Sequence, residues 1–352
     1  MTQSPSVSVV VVNYRTPEYA IKCVQSLVAE RLPISNLDVV LVDNASGDNS
    51  VSMMSEGLAD LIDEGFVKLM PLELNGGFGW ANNQALLMLS AREQPPEFVM
   101  LLNPDCTIEP LAIRRLLNEL LSSDNSAVAG SQLLNPDGSW TGSAFRFPTV
   151  GREFLRGARM EKLGRLFGIA PTLITSETPC EADWVTGASC LIRTSALARE
   201  GLFDDGFFLY FEEVELMFRL RRAGWTIRHV PASLVFHIGG ASTGLSDRSS
   251  LVREFPFYWF ASRRRFFTLA YGPRRAYISG IAWIIGTFIY KWAAACRQSW
   301  LDPTVAGNQR RLIKYGLRSN ANDHVRSVVA LGDEMGGRPH WMEFQENEFS
   351  EA

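Results

Sequence analysis

The run Phe98-Val99-Met100-Leu101-Leu102 ends abruptly on Asn103-Pro104-Asp105. Five apolar residues are too few for a typical globular helix and a proline bounds them, so the run reads as a fully buried strand. The acid that follows stands at the carboxyl end of that strand, the edge at which open α/β sheets bind ligands. Asn-Pro-Asp alone also suits an ordinary turn, and its context has to decide.

That context is an alternation. Residues 7–12 form an apolar run leading into Asn13-Tyr14-Arg15-Thr16-Pro17, after which Tyr19, Cys23, Ser26 and Leu27 fall at helical spacing. Residues 37–42 give a second strand, ending in Asp43-Asn44-Ala45-Ser46-Gly47-Asp48-Asn49-Ser50, with Ser50 a cap for the next helix. A third strand is expected at 66–70. Asn75-Gly76-Gly77-Phe78-Gly79 then opens a helix through Leu89. Beyond the Phe98 strand come a helix at 110–121 and a strand at 127–134. This β-α-β-α order predicts a mostly parallel sheet covered by helices. Further on, a strand is expected at 184–193, a helix at 210–223 and a strand at 225–236, before His237-Ile238-Gly239-Gly240. Between 151 and 180 the pattern is less regular. There Arg152, Arg156, Arg159, Lys162 and Arg165 are spaced so that several share one helical face, which reads as solvated surface, or as a lid or acceptor contact.

At 352 residues the chain has room for one large or two ordinary domains. Its five cysteines are scattered and form no Cys-x-x-Cys pair, which argues against a disulfide framework or a zinc site and for a reducing cytosol. No basic segment precedes the first apolar run, so no secretion signal is expected. The net charge of -4 hides an asymmetry, because residues 253–318 carry about twelve Lys or Arg against two acids. That pattern predicts an anionic partner surface. Within it, an apolar run of about fifteen residues at 276–290 is bracketed by Arg274-Arg275 and Lys291 and preceded by Arg263-Arg264-Arg265. Being short of the ~20 residues of a spanning helix, it reads as an interfacial helix with its cations on headgroup phosphates, or as a buried C-terminal helix. The polar stretch from Asn320 onward is expected to be loose. The expected division is 1–245 for the α/β domain, 246–319 for a basic, aromatic helical region and 320–352 for a tail.

Neither Gly-x-Gly-x-x-Gly after the first strand nor a Gly-Lys-Ser/Thr loop occurs, so the dinucleotide and P-loop classes drop out. What remains is amides and acids at successive strand ends: Asn13, Asp43, Asn75 with Gly76 and Gly77, then Asn103 and Asp105. Each alone is an ordinary turn residue. In a parallel sheet all of them fall on one edge.

Here the sequence resembles the inverting family-2 glycosyltransferases of the GT-A fold, within them the rhamnosyltransferase-like branch. The resemblance rests on Val-Val-Asn-Tyr-Arg-Thr at 11–16, Val-Asp-Asn-Ala-Ser-Gly-Asp-Asn-Ser at 42–50, Asn-Gly-Gly-Phe-Gly-Trp-Ala-Asn-Asn at 75–83 and Leu-Asn-Pro-Asp at 102–105. Gly187-Ala188, Phe203-Asp204, the stretch Phe207-Phe208-Leu209-Tyr210-Phe211-Glu212-Glu213-Val214-Glu215-Leu216, Arg219, Gly224-Trp225 and His237 follow in the same order. It covers residues 7–245.

The resemblance implies a GT-A nucleotide-sugar-binding sandwich with a C-terminal membrane-associating helical region. It implies that Asp43 pairs with the base of the donor, while Asn13 and the glycine loop, including Asn75, Gly76, Gly77 and Asn82, line the nucleotide pocket beside Asn103. Asp105 would hold a divalent metal, Mg²⁺ or Mn²⁺, with His237 a second ligand whose imidazole tilts the choice toward Mn²⁺. Two departures stand out. Asn103-Pro104-Asp105 replaces the wider family's Asp-x-Asp and points to the subfamily, and Glu212-Glu213 replaces Glu-Asp. The motif assigns the general base to Glu213. Glu212, about 100° away on a helix, is its competitor. The implied activity is transfer of a deoxyhexose, L-rhamnose from dTDP-rhamnose, to a lipid-linked saccharide on the inner face of the cytoplasmic membrane, with no nucleic-acid partner. Three alternatives stay open: a non-catalytic nucleotide-sugar-binding protein, a transferase using a UDP-sugar, and a nucleotidyltransferase, whose glycine-rich loop is missing at Asn13-Tyr14-Arg15-Thr16.

Overall fold

The structure, a computed structural model, describes residues 5–239, 254–296 and 304–342. The first half alternates as the sequence predicts: β1 (Val7–Asn13), α1 (Pro17–Ser26), β2 (Leu37–Asp43), α2 (Ser50–Gly57), α3 (Ala59–Asp63), β3 (Val67–Pro71), α4 (Phe78–Ser90), β4 (Phe98–Leu102), β5 (Cys106–Ile108), α5 (Ala112–Leu121) and β6 (Ser126–Leu134). The second half is more broken. It holds β7 (Ala144–Phe145), α6 (Val150–Ala158), β8 (Leu173–Ile174), β9 (Cys180–Ala182), β10 (Trp184–Val185), β11 (Ser189–Arg193), α7 (Thr194–Glu200), α8 (Glu212–Arg222) and β12 (Thr226–His237), then helices α9 (Phe257–Tyr271), α10 (Pro273–Cys296) and α11 (Thr304–Arg311).

Nine strands form one sheet in the order β3-β2-β1-β4-β11-β6-β12-β5, with β9 pairing β12. The strands β3, β2, β1 and β4 are mutually parallel, β11 runs against β4 and β6, and β12 is parallel to β6. Every residue of β1, β4 and β6 is buried, because helices cover both faces. Val9 and Val11 share one core with Cys23 of α1, with Leu27 just past its end, and with Leu116 and Leu117 of α5. Val10 and Val12 share the opposite core with Trp80 and Ala85 of α4 and with Leu216 and Met217 of α8. Each such valine contributes about 1.5 to 3 kcal/mol by leaving water, which fixes a three-layer sandwich with α4 and α8 on the same side of the sheet.

Several expectations need correction. The strand expected over 184–193 is two pieces, β10 and β11, separated by Thr186-Gly187-Ala188. The helix expected from Tyr210 begins at Glu212, because Tyr210 (φ 70) and Phe211 (φ 69) are left-handed and cannot enter a helix. Arg156, read as part of a solvated or lid face, instead lies over the rings of Phe255, Trp259 and Trp283 at 5.5, 4.8 and 4.9 Å. Its helix packs on α10 at a crossing of small residues, where a Cβ on Gly286 would overlap the Phe154 carbonyl.

The largest correction concerns Arg263-Arg264-Arg265. These cations do not face a partner surface. All three are buried in ion pairs: Arg263 with Glu153 at 2.6 Å, Arg264 with Asp323 at 2.7 Å and Arg265 with Asp204 at 2.7 Å. Three consecutive helical residues point about 100° apart, so α9 is tied on three sides, to α6, to the C-terminal segment and to the loop before α8. Nor is the polar stretch loose over 320–342. Leu202 N–H donates to Val329 O (2.8 Å), Asp205 N–H to Ser327 O (3.0 Å) and the Trp341 indole to Gly76 O (2.8 Å). The apolar run at 276–290 lies within the longer α10, which buries Ala276, Ser279, Trp283 and Gly286 and exposes Tyr277, Ile278, Ile285, Phe288 and Trp292.

Candidate active site

A cleft of about 550 Å³ opens along the carboxyl edge of the sheet. Its first wall comes from the ends of β1 and β2 and from the glycine loop. Asn13 and Asp43 are register partners on neighbouring strands, and Asn13 Nδ2 donates to Asp43 Oδ1 at 2.8 Å. Asn13 Oδ1 accepts from the Thr16 amide and hydroxyl, and Asp43 accepts from the Ser46 amide (3.0 Å) and hydroxyl (2.6 Å). Both side chains are therefore engaged behind the wall. Side chains alternate along a strand, and Val12, Tyr14 and Asn44 line the cleft instead. Asn44 Nδ2 donates to Asn75 Oδ1 (2.8 Å), which also takes the Gly77 amide (3.1 Å); Asn44 Oδ1 is buried with no partner among the described residues. Asn75 and Gly77 line the cleft, whereas Asn82 is buried and donates to the Phe78 carbonyl (2.9 Å). Gly77 has φ 89, and a Cβ there would overlap the Phe208 carbonyl, which accepts the Phe78 amide at 3.1 Å. Only glycine permits that approach.

The floor is the turn after β4. Pro104 ends the strand, Cys106 N–H closes the turn onto Asn103 O (3.1 Å), and β5 then pairs with the end of β12 so that Cys106 stands opposite His237. This pairing brings His237 Nε2 to 3.2 Å from Asp105 Oδ1. Asn103, Asp105 and His237 all line the cleft.

The second wall is the loop 204–211 and the start of α8. Asp204, fully buried, accepts from the Gly206 amide (2.8 Å) and from Arg265. Ser262 of α9 donates to Leu209 O (3.0 Å), and Phe211 packs on Trp259 and Phe266. These contacts hold Tyr210 and Phe211 in left-handed geometry, which costs about 1 to 2 kcal/mol per residue. Glu212 and Glu213 emerge at the first turn of α8, and both line the cleft. Oε2 of each is buried without a partner among the described residues. Burial raises the pKa of Glu213 to about 7, while its own amide and that of Val214 pull the other way. Burial, then the charge of Glu213, pushes Glu212 well above the ordinary carboxylate range. The two diverge: Glu212 packs toward Gly79 of α4, and Glu213 faces Gly187, where a Cβ would come within 3.5 Å of its own.

Residues 5–265 match the glycosyltransferase-like family 2. The chain belongs to that family. This glycosyltransferase is 31% identical over 240 residues to the N-acetylglucosaminyl-diphospho-decaprenol L-rhamnosyltransferase of Mycobacterium tuberculosis, covering 64% of its own length and 73% of that enzyme. Its fold is similar to that of GalNAc-T7 solved with UDP, GalNAc and Mn²⁺ (14% identity, TM-score 0.53, 90% of this chain and 56% of that one). It is also similar to the mannosyltransferase PcManGT of Pyrobaculum calidifontis solved with GDP-Man and Mn²⁺ (16% identity, TM-score 0.52, 89% and 82%). The architecture is thus of the GT-A type, as expected.

In this glycosyltransferase the Asp105–His237 pair fits a divalent cation. Two neighbouring ligands at 2.0 to 2.1 Å on an octahedral ion stand about 3 Å apart, and the two donor atoms are separated by 3.2 Å. Cys106 lies in the same cluster. Its thiol is turned to the Ala188 carbonyl (3.5 Å), and burial, then the charge of Asp105, holds it protonated. Sequence reasoning missed Tyr14 and Asn44, which strand alternation could have supplied, and Thr186 and Tyr258, for which no local signal existed.

Proposed function

We propose that this glycosyltransferase moves a deoxyhexose, L-rhamnose from dTDP-rhamnose, onto a lipid-linked saccharide with inversion at the anomeric carbon, in the synthesis of cell-surface polysaccharide. The observation that carries the chemistry is Glu213, whose Oε2 is buried without a partner among the described residues and whose pKa near 7 lets it both exist as the anion and hold a proton. The acceptor hydroxyl donates to Glu213 and yields its proton as the oxygen attacks the anomeric carbon. The bond from that carbon to the diphosphate breaks on the opposite face, and its electron pair leaves with the diphosphate. Asp105 and His237 would hold a divalent cation, which when bound offsets the negative charge of the leaving group. The mixed oxygen and imidazole donor set favours Mn²⁺ over Mg²⁺. Tyr14 and Asn44 receive the base, with Asn13, Asp43, Ser46 and Asn82 fixing the loops behind them.

The sugar and the acceptor are supported by the similarity to the mycobacterial enzyme, whose name specifies L-rhamnose and a prenyl diphosphate saccharide. Presenting dTDP-, UDP- and GDP-sugars with a short lipid-diphosphate saccharide, with and without Mn²⁺, and weighing the products tests both. A deoxyhexose added from dTDP-rhamnose is expected. Transfer only from a UDP- or GDP-sugar overturns the donor, and donor binding without transfer to any acceptor overturns the enzyme reading.

The same reading sets α10 in the membrane interface at the cytoplasmic face. At 1.5 Å per residue its 24 residues are about 36 Å long, enough to span a bilayer. One face, however, is packed on α6 and α9 and cannot also meet lipid. Exposed Ile285, Phe288 and Trp292 and the flanking Arg274 and Arg275 suit an apolar face in lipid and cations on phosphate. All five cysteines are free, which suits a reducing compartment. Exchanging Phe288 and Trp292 for Glu should abolish co-sedimentation with anionic vesicles; unchanged sedimentation refutes the assignment.

A further inference from the structure

Two tyrosines border the Glu213 wall of the cleft. Tyr210 comes from the loop before α8 and Tyr258 from the first turn of α9. Their rings are nearly parallel, 15° apart with centroids 6.0 Å from each other. Phe208 and Phe257 both meet Tyr258 edge-on, at interplanar angles of 81° and 78°. Phe257 and the cleft-lining Phe208 thus hold the Tyr258 ring in place. Burial raises the pKa of the Tyr258 hydroxyl, and no hydrogen bond or neighbouring charge among the described residues offsets it.

An acceptor hydroxyl has to come within hydrogen-bond reach of Glu213. The ring that carries it must then lie against a wall of the same cleft, whose aromatic lining includes Phe78, Phe208, Tyr210 and Tyr258. An aromatic face is negative and attracts the electropositive C–H groups on the apolar side of a pyranose. We propose that Tyr210 and Tyr258 form the acceptor subsite, a ledge on which a pyranose stacks by its C–H face with one hydroxyl directed at Glu213. The inference rests on the proposed transfer to a saccharide. It also gives the three buried arginines of α9 a purpose, because they fix the helix that presents Tyr258 against the loop that presents Tyr210 and Glu213.

The test uses Tyr258→Ala and Tyr258→Phe in the full chain, with thermal melts to confirm folding. Loss of the ledge should raise the acceptor KM about five- to tenfold in Tyr258→Ala while the donor KM moves less than twofold, and Tyr258→Phe should keep most of the affinity because the ring face remains. Saturation-transfer NMR with methyl N-acetylglucosaminide reads the contact without turnover, and its ring-proton signals should fade in Tyr258→Ala. Undiminished signals, a donor KM that rises instead, or Tyr258→Phe as impaired as Tyr258→Ala would each overturn the ledge. Wild-type protein that transfers to no saccharide defeats the proposed function, and in that case the NMR comparison alone decides whether the tyrosines bind sugar.

Discussion

On the wall formed by β1 and β2, Asn13, Asp43 and Ser46 satisfy one another's hydrogen bonds. On the facing wall, Glu212 and Glu213 each bury an oxygen without a partner among the described residues, and the two residues before them are left-handed. That cluster keeps its shape when a ligand comes and goes and costs little to maintain, although Asn44 Oδ1 beside it and Asn82 Oδ1 of α4 are buried without a partner among the described residues. An unsatisfied wall lowers stability by about 1 to 3 kcal/mol per buried group and is retained only if the surroundings enforce it. The Arg265–Asp204 pair and the aromatic side chains of α9 do the enforcing here. The contrast suits the proposed division, with the donor recognised at the first wall and the proton transferred at the second.

The sharpest way to break this comparison is Glu213→Gln. It keeps size and hydrogen bonding and removes basicity, so transfer should fall by about 10² to 10⁴ while donor affinity barely moves. Initial rates beside donor titrations check this; if Glu212→Gln carries the loss instead, the two roles are exchanged. Next in size is Asp105→Asn at the floor between the walls. An amide is a poor ligand for a hard cation, and metal-dependent donor binding should weaken by about 100-fold or more, since even outer partners of such ligands are worth 10- to 100-fold. Calorimetry with and without Mn²⁺ reads this independently of turnover.

Protonation sharpens the contrast further. As the proposed base, Glu213 must be anionic to act, so the transfer rate should fall as pH drops through about 7. Stability should run the other way. Because the folded pKa lies above the ordinary 4.5, the native state holds an extra proton between those values, and that stabilisation is lost as pH rises from about 4.5 to about 7. Glu213→Gln should therefore be more stable than the wild type at pH 8, by about 1 to 3 kcal/mol, with the gain vanishing below pH 4.5. Chemical denaturation at the two pH values measures it. The smallest effect is expected at Trp341, whose indole donates to Gly76 O and whose ring meets Phe208 at 4.8 Å. Trp341→Phe loses one hydrogen bond worth about 0.5 to 1.5 kcal/mol and should raise the donor KM about two- to tenfold without touching the pH profile. An unchanged KM would mean that the C-terminal segment merely covers the glycine loop.

Much was legible in the chain itself. The valine and leucine runs had to be buried strands, Pro104 had to end β4, and amides and acids at strand exits had to gather on one edge, because all of these follow from local sterics and the period of a strand. What the sequence left open was decided by contacts between distant segments. Asn13 and Asp43 turned inward because they are cross-strand partners, and Tyr14 and Asn44 took the cleft by alternation. His237 met Asp105 only because β5 folds back onto the end of β12. Arg263-Arg264-Arg265 reads as a basic surface patch until Glu153, Asp204 and Asp323 arrive from three other segments, since a run of charges does not encode where its counter-ions lie. Tyr258 came to line the site, and Trp341 to hold its glycine loop, for the same reason: their position depends on how the C-terminal helices and the segment after them pack against the sheet, and no short-range pattern in the chain specifies that.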